Sequence, residues 1–329
     1  MKAIRVNAYG GPEVLRLEEI ETSRPGPGQA LVRLAAAGVN FVDVYYRRGA
    51  FPMTVSPPSL PFTPGLEAAG VVEAVGDGVT NVKPGDRVAY THQRGAYAEA
   101  SVVEAGRLIP LPEDFSFEQG AALTLQGLTA HFLIHEFRPP KPGDVVLVHA
   151  AAGGMGLLLV QWARHLGARV IGTVSTQEKA RVAEEAGASD VILYTQRDFA
   201  AETKRLTNGH GADLIIDGVA QTTFEGNLEA AAVRGHIVLY GLASGPAAPI
   251  APESLRPHSL TVSGGALRNY MRTREELLHR AQAVIEALRA GWLRLRIDRV
   301  LPLELAAEAH RLLENRQTMG KLILRISAR

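Results

Sequence analysis

Residues 145 to 156 read Val-Val-Leu-Val-His-Ala-Ala-Ala-Gly-Gly-Met-Gly. The apolar run has the texture of a buried strand, and an apolar-periodic helix pattern follows the glycines at once. Within it, Ala151-x-Gly153-x-x-Gly156, with Gly154 and Met155 between, is the dinucleotide fingerprint with alanine in the first glycine slot. Gly153 lets the backbone approach a pyrophosphate, and Gly156 lets the helix pack on the sheet. The helix N-terminus then offers free N–H groups to the phosphates.

A second position selects between cofactors. NAD-binding chains carry Asp or Glu about 20 residues past the glycines, where the carboxylate accepts from the ribose 2′-hydroxyl. Here that position reads Val174-Ser175-Thr176, and Lys179 follows. A hydroxyl and a cation suit a 2′-phosphate, which a carboxylate would repel. The expected cofactor is NADPH, with Ser175 and Lys179 at its phosphate.

The elements that must position this turn come in two textures. The first ~120 residues alternate short strand-like runs (30–37, 70–75) with turn signals such as Gly10-Gly11-Pro12 and Lys83-Pro84-Gly85-Asp86. That pattern predicts a β-rich, barrel-like unit. A Pro-rich stretch, 51–64, reads as a surface loop. From Phe117 onward, helices and strands alternate. Strands are expected at 145–148, 169–174, 191–194, 213–216, 236–240 and 260–263, and helices at 157–166, 176–186, 199–207 and 223–232. Such alternation means a parallel sheet with helices on both faces. A helix at 275–290, a strand at 297–301, a helix at 303–314 and a strand at 322–326 fit a return to the first domain. The expected fold class is therefore α/β, with residues 1–120 and 268–329 in the catalytic domain and 121–267 in a Rossmann nucleotide domain.

Bulk properties narrow the function. The 329 residues are 46% hydrophobic and 21% charged, with a formal net charge of +1, so no large field points to nucleic acid or a membrane. No apolar run approaches the ~20 residues of a membrane helix. The strand-like start, Met1-Lys2-Ala3-Ile4-Arg5-Val6, lacks the apolar core of a signal peptide, which makes the cytoplasm the expected location. The chain contains no cysteine, which excludes disulfides, thiolate catalysis and cysteine-based zinc sites.

A set of ordered motifs carries a resemblance. They are Gly10-Gly11-Pro12-Glu13-Val14-Leu15, Gly38-Val39-Asn40-Phe41-x-Asp43, Pro64-Gly65-Leu66-Glu67-Ala68-Ala69-Gly70, Gly85-Asp86-Arg87-Val88, Gly95-Ala96-Tyr97-Ala98-Glu99, Gly127-Leu128-Thr129-Ala130 and the His149–Gly154 turn. In order and spacing the chain resembles the zinc-free quinone oxidoreductase (zeta-crystallin-like) branch of the medium-chain dehydrogenase/reductase superfamily. The resemblance implies a GroES-like first domain. Zinc relatives carry Cys and His where this chain has Asn40 and Leu66, and an amide and a leucine do not make a zinc site. His131 and His135 stand i, i+4 on a helix with no completing ligand and read as ordinary helix residues. Without a metal Lewis acid, oxidation of simple alcohols is disfavoured.

The resemblance implies NADPH in the cleft between domains and an acceptor that is already electrophilic. Asn40, Asp43 and Tyr45 would line that cleft with Arg47 nearby, Asn40 and Asp43 would also contact the cofactor, and Asn40, Tyr45 and Gln126 form the candidate catalytic set. Thr129, Tyr240, Gly241, Leu242, Ala266 and Leu267 would contact the nicotinamide half. Lys179, Tyr194 and Arg316 match positions around the 2′-phosphate and adenosine. Asn40 also suits a turn or helix cap, Tyr45 and Tyr46 suit core aromatics, and Glu67 reads as a structural ion-pair partner. Relatives can carry Lys at Gln126 and tyrosine at Phe51; both departures bear on the acceptor more than on the cofactor. The leading expectation is NADPH-dependent quinone reduction. An enone or alkenal double-bond reductase is the alternative, because both share the hydride donor and the cleft. An RNA-binding role, known among zeta-crystallin-like proteins, finds no basic-aromatic patch here. Relatives pair through edge strands, and residues 260–265 could form such an edge, so a homodimer is expected.

Overall fold

The computed structural model describes residues 1–50 and 58–326. Phe51 and much of the Pro-rich stretch therefore lie outside the described residues. The chain runs β1 (Lys2–Val6), β2 (Leu15–Glu19), β3 (Gln29–Val39), α1 (Phe41–Arg48), β4 (Glu67–Val75), β5 (Arg87–Thr91), β6 (Ala100–Glu104), β7 (Ile109–Pro110) and α2 (Phe117–His135). It continues through β8 (Val145–His149), α3 (Gly154–His165), β9 (Arg169–Val174), α4 (Gln177–Ala186), β10 (Asp190–Leu193), α5 (Phe199–Leu206), β11 (Ala212–Asp217), α6 (Phe224–Ala230), β12 (Ala231–Leu239) and β13 (Thr261–Gly264). It closes with α7 (Arg274–Arg289), β14 (Ile297–Pro302), α8 (Ala306–Glu314) and β15 (Lys321–Arg325).

Two compact units result. One comprises residues 1–127, 271–281 and 297–329, and the other residues 128–270 and 282–296, so α7 is shared between them. In the second unit, β10-β9-β8-β11-β12-β13 form one parallel sheet in that order. Strand order reverses between β8 and β11, the switch point at which doubly wound sheets hold ligands beyond their carboxyl ends. Every residue of β8 is buried, as expected of a strand covered on both faces.

Most predicted boundaries fall within a few residues of the observed ones, and two differences have a plain physical reason. Helix α3 starts at Gly154, three residues before its apolar periodicity, because glycines carry no periodic signal. Helix α6 stops at Ala230 and β12 begins at Ala231, although the pattern predicts a helix to 232 and a strand only from 236. Ala231 pairs with Ala212 of β11 across a register shift, and Ala231 and Ala232 are fully buried. Small alanines suit either state, and burial against β11 decides for the strand.

In the first unit, β14-β15-β3-β4-β5-β7 form a mixed sheet, β6 also pairs with β3, and β1 and β2 form a separate antiparallel pair. The eleven-residue β3 organises this sheet. Leu322 of β15 pairs with Val39 of β3, and Ala68 of β4 pairs with Ala37. Asn40, Glu67 and Lys321 therefore stand at one end of three neighbouring strands. Gly38 makes this possible: a Cβ there would come 2.2 Å from Glu67 Oε1 and 2.6 Å from the Ala121 carbonyl oxygen. The core beneath includes Ile4, Val32, Leu34, Tyr90, Tyr97, Leu108 and Leu324.

Candidate active site

Helix α1 delivers most of the first unit's site. Asn40 is its N-cap, Gly49 ends it in the left-handed conformation, and Asp43 and Arg47 share its buried face at i, i+4 spacing. The Asn40 backbone N–H donates to Asp43 Oδ2 at 2.9 Å, which fixes the helix entry.

Asn40 is 96% buried, and its side chain is held on both sides. Its Nδ2 donates to Glu67 Oε1 at 2.7 Å, and its Oδ1 accepts from Lys321 Nζ at 2.7 Å. Because an ammonium only donates, Lys321 settles which end of the amide is oxygen. Lys321 also pairs with Glu67, and both are almost completely buried. Glu67 Oε2 accepts from Thr124 Oγ1 at 2.9 Å and from the Leu125 backbone N–H at 2.6 Å. Gln126 Nε2 reaches Asn40 Oδ1 at 3.5 Å. Two of the three candidate catalytic residues, Asn40 and Gln126, are thus brought together. Tyr45 is half-buried one turn along α1, with its ring centroid 6.4 Å from that of Phe41.

A second chain of bonds runs away from Asp43. The fully buried Arg47 grips Glu314 with two bonds of 2.8 Å and donates through Nε to the Gly10 carbonyl at 3.1 Å. Its Nη1 also reaches His310 Nδ1 at 3.2 Å. Guanidinium groups only donate, so His310 carries its proton on Nε2. That nitrogen donates to Tyr97 Oη at 3.2 Å, and the Tyr97 hydroxyl donates to Asp43 Oδ2 at 3.1 Å. Burial and the Arg47 charge push His310 down to about 3, which keeps it neutral. Burial pushes Asp43 up to about 7, against the lowering effects of the Asn40 N–H and Lys321. Asp43 Oδ1 has no partner among the described residues.

In the second unit the predicted residues gather beyond the carboxyl ends of the parallel strands. Gly153 caps α3 without a side-chain bond, and Gly154, Met155 and Gly156 form its first turn, where backbone N–H groups have no partner within the helix. A Cβ on Gly156 would come 2.3 Å from the Ala150 carbonyl oxygen, so glycine is required for this approach. Ser175 follows β9 and Tyr194 follows β10, and these strands are neighbours, with Leu193 opposite Val174. Thr176 caps α4 by accepting from the Lys179 backbone N–H at 3.3 Å, which sets Lys179 in the helix's first turn. Tyr240, Gly241 and Leu242 follow β12, and Ala266 and Leu267 lie just beyond β13. A Cβ on Gly241 would come 2.8 Å from the Gly218 carbonyl oxygen. Thr129 is buried in α2, whereas Arg316 belongs to the first unit, just past α8.

Beneath the glycine turn, Asp217 Oδ2 accepts from Asn227 Nδ2 at 2.7 Å, so Asn227 Oδ1 accepts from His149 Nε2 at 2.7 Å. His149 Nδ1 then accepts from Thr173 Oγ1 at 2.9 Å. This buried network ties β8, β9, β11 and α6 together under the turn. Burial lowers the His149 pKa, consistent with a neutral structural imidazole. His131 and His135 pack edge-on against Trp162, with ring centroids 5.5 and 5.8 Å away.

The donors at Asn40 and Leu66 do not suit zinc. Leu66 is apolar, and the Asn40 oxygen already accepts from a lysine ammonium, whose charge would repel a metal cation. Sequence reasoning missed Lys321, Thr124, His310 and Glu314. The available signal was a lysine heading the apolar strand Lys321-Leu322-Ile323-Leu324, which is unusual in a sheet interior.

The family described as alcohol dehydrogenase GroES-like domain matches residues 26–113, and that described as zinc-binding dehydrogenase matches residues 154–283. Quinone oxidoreductase 1 of Escherichia coli is 39% identical, over 98% of each chain. A 2-haloacrylate reductase from a Burkholderia species is 42% identical over 97% of each. The crystal structure of Escherichia coli quinone oxidoreductase complexed with NADPH superposes with a TM-score of 0.95, at 38% identity, covering 99% of this chain and all of that one. With a glycine turn at the switch point and an Asn40–Glu67–Lys321 cluster in its GroES-like unit, the chain belongs to the zinc-free quinone oxidoreductase branch of the medium-chain dehydrogenase/reductase superfamily.

Proposed function

We propose that this protein is an NADPH-dependent, zinc-independent reductase of quinones. The observation that carries the reading is the Asn40 amide clamped between Glu67 and Lys321. Kinship supports the cofactor, since an Escherichia coli relative of near-identical fold was solved with NADPH.

The first turn of α3, from Gly154 to Gly156, suits the pyrophosphate, and Ser175, Lys179 and Tyr194 suit the 2′-phosphate end, with Arg316 as a further cation for it. Thr129, Tyr240–Leu242, Ala266 and Leu267 suit the nicotinamide half. NADPH, when bound, supplies a hydride.

The chain's own residues stabilise the charge that arrives with it. An amide nitrogen carries two hydrogens, and Asn40 uses one on Glu67. The other is held ready for an acceptor oxygen, as is an N–H of Gln126. Such preset neutral donors stabilise developing negative charge without surrendering a proton. A hydroquinone anion is already delocalised, so water, or the Tyr45 hydroxyl, completes the protonation. Lys321 and Glu67 hold the amide orientation and act as positioning residues.

Enone or alkenal reduction is the second reading, favoured by the 42% identical relative named 2-haloacrylate reductase. The same donors would hold an enolate oxygen. Self-association through β13, the terminal strand of its sheet, belongs to this reading, as does a cytoplasmic location where nicotinamide cofactors are regenerated. No helix among the described residues is long and apolar enough to cross a membrane.

The test is NADPH oxidation with 1,2-naphthoquinone, 9,10-phenanthrenequinone and a panel of small enals. Failure of both quinones, in protein shown to bind NADPH, would remove the quinone reading. Activity on enals far above that on quinones would select the second.

A further inference from the structure

The first unit contains a cavity of about 530 Å³ bordered by Leu66, the residue before Glu67, and by Tyr46, the residue after Tyr45. That volume falls within the range of small-molecule sites. Its polar lining is one-sided. Arg5 and Arg94 both contribute, His92 lies beside them, and no Asp or Glu is among the described lining residues. In a chain whose formal net charge is only +1, this is a local departure.

Arg5 is pre-positioned by hydrogen bonds, and Arg94 is exposed beside an aromatic ring. Arg5 donates through Nη1 to Thr63 Oγ1 at 3.1 Å and through Nη2 to the Pro61 carbonyl at 3.3 Å, which aims the group and leaves further N–H donors. The Arg94 guanidinium lies over the Tyr46 ring, 5.9 Å from its centroid, within cation–π range. Phe62 and Leu66 complete an apolar wall. Two guanidinium groups without a carboxylate, beside an aromatic ring, match a planar organic anion.

We propose that this cavity is an anion subsite that takes the carboxylate or sulfonate of an acidic aromatic or conjugated acceptor, with Arg94 the principal cation and Arg5 its fixed partner. The proposal rests on the reductase reading for the identity of the ligand as an acceptor. The anion-binding chemistry itself is separately testable.

The first arm measures binding to the full chain by calorimetry, with naphthalene-2-sulfonate, its neutral sulfonamide and inorganic sulfate at matched ionic strength. The sulfonate is expected to bind at least about tenfold tighter than the sulfonamide, the ratio of one charge-assisted hydrogen bond. Arg94→Met should collapse that ratio towards one, Arg94→Glu should invert it, and Arg94→Lys should retain part of it. Equal binding of sulfonate and sulfonamide to the natural chain, or a ratio indifferent to all three variants, overturns the proposal. Inorganic sulfate binding as tightly as the arylsulfonate overturns the acceptor assignment in favour of a bare anion site.

The second arm compares kcat/KM for 1,2-naphthoquinone-4-sulfonate and 1,2-naphthoquinone. The sulfonate-to-neutral ratio is expected to fall about tenfold or more in Arg94→Met and to fall with added salt. An unchanged ratio counts against the subsite. Absence of turnover with either quinone strikes the reductase reading instead, and the binding arm then decides the subsite alone.

Discussion

Lys321 Nζ lies 2.7 Å from Asn40 Oδ1, although 281 residues separate them in sequence. The contact assigns the amide's two ends and joins the closing strand to the N-cap of α1. With Glu67 it forms a buried ion pair whose members are each satisfied by further bonds. Buried pairs of this kind contribute little by their own attraction but are costly to break.

Lys321→Met is therefore expected to destabilise the fold by about 3–5 kcal/mol, because it leaves Glu67 charged, buried and unpaired. The double variant Lys321→Met with Glu67→Gln should recover a large part of that loss. Denaturant unfolding of the two singles and the double gives the coupling. Additive losses would mean that the two side chains do not act as a pair.

In the proposed mechanism Asn40 supplies an N–H donor to the acceptor, and Asn40→Ala removes it. It should lower kcat with quinones on the order of 10²-fold, as loss of one oxyanion donor does. NADPH affinity should change little by comparison. Steady-state kinetics decide the point, and a kcat within twofold of the natural enzyme would exclude Asn40 from charge stabilisation.

Lys179→Ala should weaken NADPH by about 1.5–3 kcal/mol, a charged hydrogen bond's contribution, and leave NADH nearly unaffected. Fluorescence titration with each cofactor measures both. Equal losses for the two would show that Lys179 does not read the 2′-phosphate.

Two buried groups give opposite pH dependences. Asp43 rises from 3.8 to about 7 on folding, so between these values the folded chain keeps a proton that the unfolded chain has lost. Its contribution to stability falls as pH rises through that window. His310 drops from 6.5 to about 3, so the unfolded chain binds the extra proton and stability falls as pH drops through that window. Relative to the natural chain, Asp43→Asn should gain on the order of 2–4 kcal/mol between about pH 4 and about pH 8. His310→Phe should instead gain relative stability as pH falls below 6.5. Parallel stability–pH curves for the natural chain and Asp43→Asn would show that Asp43 titrates as an ordinary carboxyl.

The α/β class and the glycine turn are legible in the sequence because each depends on contiguous residues. A buried strand, a run of small residues and an apolar helix face occupy one window of the chain, as do β9 and the Ser175 position. Lys321 and His310 are illegible for the opposite reason. Each acts on α1 from more than 260 residues away, through pairings that only the sheet register creates. The α6–β12 boundary also escapes pattern reading, since Ala230, Ala231 and Ala232 have no periodicity to offer.

The dependence of α1 on the end of the chain has a consequence for biosynthesis. Arg47 is clasped by His310 and Glu314, and Asn40 by Lys321. Ribosomal synthesis proceeds from the N-terminus, so the nucleotide unit can fold while these partners are still unmade. Until Lys321 emerges, the amide of Asn40 and the carboxylate of Glu67 meet without a cation between them. The proposed Asn40 donor thus acquires its clamp only with β15, and a polypeptide cut short before it would carry the nucleotide unit with that donor unclamped.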